Sequence, residues 1–321
     1  MTTLKKLALG LALTCLLAPA LRADEYPSRP VRIIIGFGPG ASADITARVL
    51  AQRFNQKLGQ QFVVENRPGA GSSLAAEFVA RAAKDGYTLF MATIANTINS
   101  AISSNLNFDF AKDLAPIALI ATVPNILVVH PSLGVSNVRD LIALAKAKPE
   151  QITYGSSGVG TLTHVSVELF NSMAGVKFVH VPYPGSAQAV ADLLAGRIQV
   201  SFSPASTVMP HVAEGKLVAL ASTAMKRASI APNLPTMAEA GLPGFETGLW
   251  FGLLAPTGTP RAIIDRLSAA ANEALQASEV MALLRPQGID PLGGTPEEFA
   301  RTIAAETQKW AEVAKAAGLK K

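Results

Sequence analysis

Cysteine is all but missing from this chain: of 321 residues only Cys15 is one, and it sits inside an amino-terminal apolar run. That excludes a disulfide framework, and thiol chemistry in the body of the chain. Histidine is scarce, with four in all. His130, His180 and His211 have no carboxylate or cysteine partner at ligand spacing, so no metal site is expected. Neither a basic run nor a basic stripe interleaved with aromatics occurs, which argues against a nucleic-acid partner. No second long apolar run follows the first, so the mature chain is expected to be soluble.

The amino terminus carries Lys5 and Lys6, then an apolar stretch from Leu7 to Leu17, then small residues from Ala18 to Ala23. This is the layout of a secretory signal peptide, residues 1–23, and it is too short to span a membrane as a helix. Cleavage near Ala18-Pro19-Ala20 or at Ala23–Asp24 starts the mature chain between Leu21 and Asp24. Leu13 and Thr14 before Cys15 do not fit a lipid-anchoring site. Loss of Lys5, Lys6 and Arg22 leaves 25 of the 28 Lys and Arg against 23 Asp and Glu, so the mature chain is almost balanced in charge. The remaining 298 or so residues are enough for two lobes of roughly 100 to 200 residues each.

The body opens on VRIIIGFGPGASADITAR, Val31 to Arg48. Its β-branched run reads as a buried strand, and Gly36, Gly38, Pro39 and Gly40 read as a tight turn. A helix then starts with Ser42 or Asp44 as N-cap, buries Ile45, Val49, Leu50, Phe54 and Leu58, and stops at Gly59. Strand, glycine loop and helix start bring free N–H groups and a positive dipole end together, an anion-binding geometry. Without Lys, Arg or His in the loop, it suits a small carboxylate better than a polyphosphate. A plain structural turn is the other reading.

Strands at Gln61–Glu65 and Tyr87–Met91 follow, with a helix between them that buries Leu74, Phe78 and Ala82, and a polar loop at Ala92–Thr97. In an open α/β sheet such strand ends line the ligand crevice. Leu114–Ala121 and Asn125–His130 read as two segments broken by Pro124, followed by a helix from Ser136 to Lys146. The opening pattern then returns. Ile152–Tyr154 is a strand, GSSGVG (Gly155–Gly160) a second loop without cations, and Thr161 opens a helix carrying Leu162, Val165 and Leu169. Two such loops suggest one per lobe, facing a shared cleft. Val179–Pro182 is a strand, Ser186 caps a helix that Gly196 stops, and Ile198–Phe202, Leu217–Ala221 and Leu249–Leu254 are further strands, the last returning to the first lobe. A helix runs from Pro260 towards Leu284. Thr295-Pro296-Glu297-Glu298 is a capping box for the last helix, which buries Phe299, Ile303, Trp310 and Val313.

Taken together, YPSRPVRIIIGFGPGASADITAR, ENRPGAGS, DGYTLF, TYGSSGVGTLTHVSVELF, HVPYPGSAQAVADLLAGRIQ, LPTMAEAGLPGFE and LWFGLLAPTGTP resemble the Bug family, the extracytoplasmic receptors of tripartite tricarboxylate transporters, across the whole mature chain. The resemblance implies an α/β, two-lobed periplasmic-binding-protein (Venus flytrap) fold, each lobe a mainly parallel sheet flanked by helices. Residues 24–123 and 248–321 would form one lobe and 124–247 the other. It implies a monomeric, periplasmic protein that holds a small carboxylate between the lobes and passes it to the membrane components of a transporter or to a sensor, without a cofactor and without catalysis. By motif match, Phe37, Ala41, Ser42 and Asp44 fall in the first binding loop, and Thr93 and Asn96 in the strand-end loop. Ser156, Ser157, Gly158, Gly160, Thr161 and His164 fall in the second loop, with Tyr183 and Ser186 nearby. Two positions depart from the family: prolines usually stand where Gly36 and Gly38 are, and an aspartate often stands at Ser203.

Several assignments stay open from sequence. Ser157 and Thr161 either bind ligand or cap a helix. His164 touches ligand or supports the loop from behind. Asp44 caps its helix or faces the cleft, where it would favour an amine-bearing ligand. Arg67 reads as a brace, and Trp250 and Phe251 as core. The rival function is an exported nicotinamide-dependent oxidoreductase using the first glycine loop, with Glu65 as the ribose-binding acid. The glycine spacing and the missing amide at Pro39 count against it. A hydrolase lacks a nucleophile elbow.

Overall fold

A computed structural model describes residues 26–103, 106–159, 161–183 and 185–316; the signal peptide expected over residues 1–23 lies outside the described residues. Strand and helix alternate from the start as β1 (Val31–Ile35), α1 (Ser42–Leu58), β2 (Phe62–Asn66), α2 (Ser73–Ala80) and β3 (Thr88–Thr93). Four of the five β1 residues are buried, as a β-branched run flanked by parallel partners requires. Gly59 ends α1 at φ 71°, returning its N–H to the Asn55 carbonyl, a left-handed cap that favours glycine. The start of α1 departs from expectation. Ala41, not Ser42 or Asp44, is the N-cap and makes no side-chain bond, while Asp44 reaches back to the Gly40 N–H at 3.0 Å.

Two further local differences concern helices. In α2 Leu74 is 56% exposed, and the buried face is Ala75, Ala76 and Val79, because small side chains let the helix sit close to the sheet. The expected polar loop after β3 is instead the start of α3 (Ile94–Ile102). Thr93 and Asn96 close a reciprocal capping box: Thr93 Oγ1 accepts from the Ala95 N–H at 3.2 Å, and Asn96 Oδ1 from the Thr93 N–H at 3.0 Å.

After α4 (Phe110–Asp113), β4 runs unbroken from Leu114 to Val129, 16 residues. Pro124 does not end it. Proline lacks an N–H but tolerates extended φ, and β4 changes partners there. Leu114–Pro124 pair with β9 (Gly248–Pro256), and Asn125–Val129 pair with β7 (Val200–Pro204). Between these come α5 (Val138–Ala147), β5 (Thr153–Ser156), α6 (Leu162–Ala174), β6 (Val179–Pro182), α7 (Ser186–Leu194), α8 (Ala205–Ala213) and β8 (Val218–Ser222). α8 was not legible in sequence because Pro210 interrupts its pattern. The chain closes with α9 (Arg261–Gln276), α10 (Ser278–Leu284), β10 (Asp290–Pro291) and α11 (Pro296–Ala316). The single helix expected from Pro260 to Leu284 is split at Ala277, which is extended at φ −69°, ψ 131°.

The strands form one mixed sheet in the order β2-β1-β3-β9-β4-β7-β5-β6, with β8 and β10 also on β4. Each end of the sheet is parallel, β1 with β2 and β3 and β5 with β6 and β7, whereas β4 and β9 run antiparallel to their neighbours. Helices cover both faces. At the centre of the sheet Gly252 of β9 lies between Ala92 and Leu119, and a β-carbon there would fall 1.9 Å from the buried Phe299 ring of α11. Gly252→Ala is therefore expected to cost about 1–3 kcal/mol by overpacking. Urea denaturation should show the loss, partly restored by adding Phe299→Leu; an unchanged midpoint would show that α11 is free to shift.

Candidate functional site

Residues at the amino-terminal ends of three helices line one cavity of about 540 Å³. Thr93, Ile94 and Ala95 reach it from α3, Thr161, Leu162 and Thr163 from α6, and Ser186 from α7, with Phe37 from the loop after β1. The first N–H groups of a helix have no intrahelical acceptor, and the dipole makes that end positive. Among the described residues that line the cavity none is Lys, Arg, His, Asp or Glu. Attraction for an anion here comes from hydroxyls, amides and helix ends.

The loop between β5 and α6 is held by hydroxyls. Ser157 donates its N–H to Thr163 Oγ1 at 2.9 Å, and Thr163 Oγ1 lies 2.9 Å from Ser157 Oγ and 3.1 Å from Thr161 Oγ1. Thr161 Oγ1 donates to the Gly158 carbonyl at 2.6 Å. Thr161 stands at the N-cap of α6, but its side chain makes no capping bond; the hydroxyls brace the loop instead, and Ser157 and Thr161 line the cavity. Below the loop Ser156 Oγ lies 2.6 Å from His180 Nε2. The His180 ring stacks on His164 at 4.1 Å and on Tyr154 at 4.7 Å, and Tyr154 donates its hydroxyl to Glu168 at 2.6 Å. Burial lowers the His164 pKa. Burial, with the neighbouring His164, pushes His180 down to about 4.

The loop after β1 is organised by Asp44. Its carboxylate accepts from the Gly40 N–H at 3.0 Å, Arg48 Nε at 3.0 Å and Asn66 Nδ2 at 3.0 Å, and Asn66 Nδ2 also donates to the Phe37 carbonyl at 2.9 Å. Burial works against the charge of Asp44, but the bonds from Arg48, Gly40 and Asn66 outweigh it and hold its pKa below the ordinary value. Gly36 packs so tightly on Ser72 that a β-carbon would lie 2.5 Å from the Ser72 α-carbon. No side chain, proline included, fits at that position here.

Of the residues singled out from sequence, Phe37, Thr93, Ser157, Thr161 and Ser186 line the cavity. Asp44, Asn96, Ser156 and His164 are buried off its wall. Ala41 and Ser42 sit at the head of α1, Gly158 carries the carbonyl that Thr161 bonds, and the Tyr183 hydroxyl is turned to Asp192 at 2.8 Å. Gly160 lies outside the described residues. Sequence reasoning missed Asn125, Thr163 and the apolar wall of Ile94, Ile98 and Ile102. An asparagine alone within the apolar run of β4 was the signal for the first.

Comparison with known proteins places the chain in a family. Residues 46–319 match the model of the tripartite tricarboxylate transporter family receptor. The chain belongs to this receptor family. Protein BugT of Bordetella pertussis is 37% identical, across 95% of this chain and 94% of BugT. An R. palustris protein solved with adipate is 38% identical, with a TM-score of 0.77 over 91% of this chain and 98% of that one. MatC from Rhodopseudomonas palustris, solved with bound malate, is 31% identical, with a TM-score of 0.73 over 90% of this chain and 99% of that one. Like these family members, the chain is an α/β solute-binding receptor. The dinucleotide reading gains no support: Glu65 is paired with Arg67 at 2.7 Å and with Arg32 at 3.6 Å.

Two pH effects follow. The His180 value in the fold lies below the ordinary 6.5. Its contribution to stability is complete above about pH 6.5 and is lost as pH falls towards about 4, because the unfolded chain takes the proton first. Denaturant melts at pH 7 and pH 4.5 should show a smaller acid loss for His180→Asn than for the parent; equal losses would mean that the ring is already protonated in the fold. Asp44 has a depressed value, so its contribution is present above about pH 4 and fades as pH falls through the lower folded value. Asp44→Asn is expected to cost about 1 kcal/mol at pH 7, with Arg48 half-exposed, and the two proteins should converge once the pH has fallen through the lowered folded value. Parallel melting curves that never converge would contradict this account.

Proposed function

We propose that this protein is a monomeric periplasmic receptor that captures a small carboxylate in the 540 Å³ cavity and delivers it to the membrane components of a tripartite tricarboxylate transporter or to a sensor. The observation that carries the reading is a cavity without charged side chains among its described lining residues, set at three helix amino termini, in a chain of this receptor family. The carboxylate class is supported by two relatives, one solved with adipate and one with malate. Among the described residues no helix is long and apolar enough to cross a membrane, and the leader supports export.

The lobes are residues 24–123 with 248–321, and 124–247. Support comes from β4, whose partners change between Pro124 and Asn125, and from β9, which begins at Gly248 opposite Pro124. Closure about these crossings is the working step, and a ligand drives it only through contacts that differ between open and closed states. The reaction-free role needs no cofactor. A thermal-shift panel of carboxylates tests the reading: a ligand at about 100 times its Kd adds about 2.7 kcal/mol. We expect carboxylates to raise the Tm and a nicotinamide dinucleotide to leave it unchanged. Stabilisation by the dinucleotide alone would overturn the reading.

A further inference from the structure

The cavity has two unlike ends. At the polar end the register places Asn125 opposite Pro204 and Gly155 beside Ser201, so Asn125, Pro204 and the turn at Ser157 line up across three neighbouring strands. Asn125 is 1% exposed and lines the cavity, yet its Nδ2 has no hydrogen-bond partner. A buried donor left unpaired is costly, and an arriving acceptor would satisfy it. At the other end Ile94, Ile98 and Ile102 recur every four residues and so share one face of α3. They run away from the positive helix end towards its carboxyl end, with Leu162 of α6 also on the wall. Asn99 of the same helix also lines the cavity, but its Nδ2 is already bonded to the Ala70 and Gly71 carbonyls and to Ser73 Oγ, so a second carboxylate among the isoleucines would be desolvated without a free donor.

We propose that the cavity selects an acid with one carboxylate, bound by the Asn125 side-chain amide and the Ser157–Thr163 hydroxyls, and an apolar body lying along the α3 isoleucines. Ile94 to Ile102 span ~12 Å at 1.5 Å per residue, long enough for the apolar body of octanoate or phenylacetate to lie along them. A short polar diacid or a triacid would leave the isoleucine wall unused or bury a charge on it. This specificity rests on the receptor reading above and narrows it.

Isothermal titration with octanoate, phenylacetate, malate and citrate tests it. Octanoate or phenylacetate should bind at least tenfold more tightly than malate and citrate. Asn125→Ala should weaken octanoate about tenfold while the free protein's Tm stays unchanged or rises, because the side-chain donor it removes has no partner. A merely structural Asn125 would lower Tm and spare affinity. Ile102→Ser, at a half-buried position, should weaken octanoate but not acetate. Malate or citrate binding more tightly than octanoate would overturn the proposal and leave the receptor reading standing. Binding of none of the four, and of no carboxylate in the thermal panel, would instead count against the receptor reading itself.

Discussion

One strand carries the architecture. Every buried backbone N–H and C=O needs a partner, and β4 meets that demand over 16 residues by changing neighbours at Pro124. The proline has no N–H to leave unpaired at the exchange point. Immediately after it, Thr223 takes over: Asn125 donates its N–H to Thr223 Oγ1 at 3.2 Å, the Thr223 N–H returns to the Asn125 carbonyl at 2.9 Å, and Thr223 Oγ1 donates to the Thr247 carbonyl. Both strand crossings are tied at the same level of the sheet. The cavity lies where they are tied, so any change in the angle between the two ends of the sheet changes its shape.

The electrostatic design follows from that placement. The parallel strands of the two ends run in opposite directions and finish near the exchange point of β4, β3 at Thr93 and β7 at Pro204, so helix amino termini gather at the central cavity, whose described lining residues include no cation. Backbone dipoles are fixed by the fold and cost little reorganisation when an anion arrives. Between those termini stand hydroxyls and an unpaired amide on one side and isoleucines on the other.

Polar groups behind the wall hold this arrangement. Asp44 gathers Gly40, Arg48 and Asn66 under the first loop. Ser156 with the stacked rings of His180 and His164 supports the second. Asp44, Ser156 and His164 are buried, and the bonds of Asp44 to Gly40 and of Ser156 to Gly158 tie down the backbone of the two loops. The tight contact of Gly36 on Ser72 does the same through packing.

Much of the fold was legible from local signals. The β-branched run of β1, the left-handed glycine after α1 and the Thr295–Glu298 capping box depend on residues within one turn or one strand, so their chemistry is written in adjacent letters. The two glycine loops and the absence of cations in them likewise followed from sequence, and the long motifs placed the chain in its family. What sequence could not decide depended on distant partners. Pro124 reads as a break unless the pairing of β4 with both β9 and β7 is known, and Leu74 reads as core until the alanines of α2 are seen against the sheet. Asn125 reads as one polar letter in an apolar strand. Only the tertiary structure shows that its amide is buried, unpaired and beside the cavity, because hydrogen-bond satisfaction is a property of three-dimensional neighbours and not of sequence order.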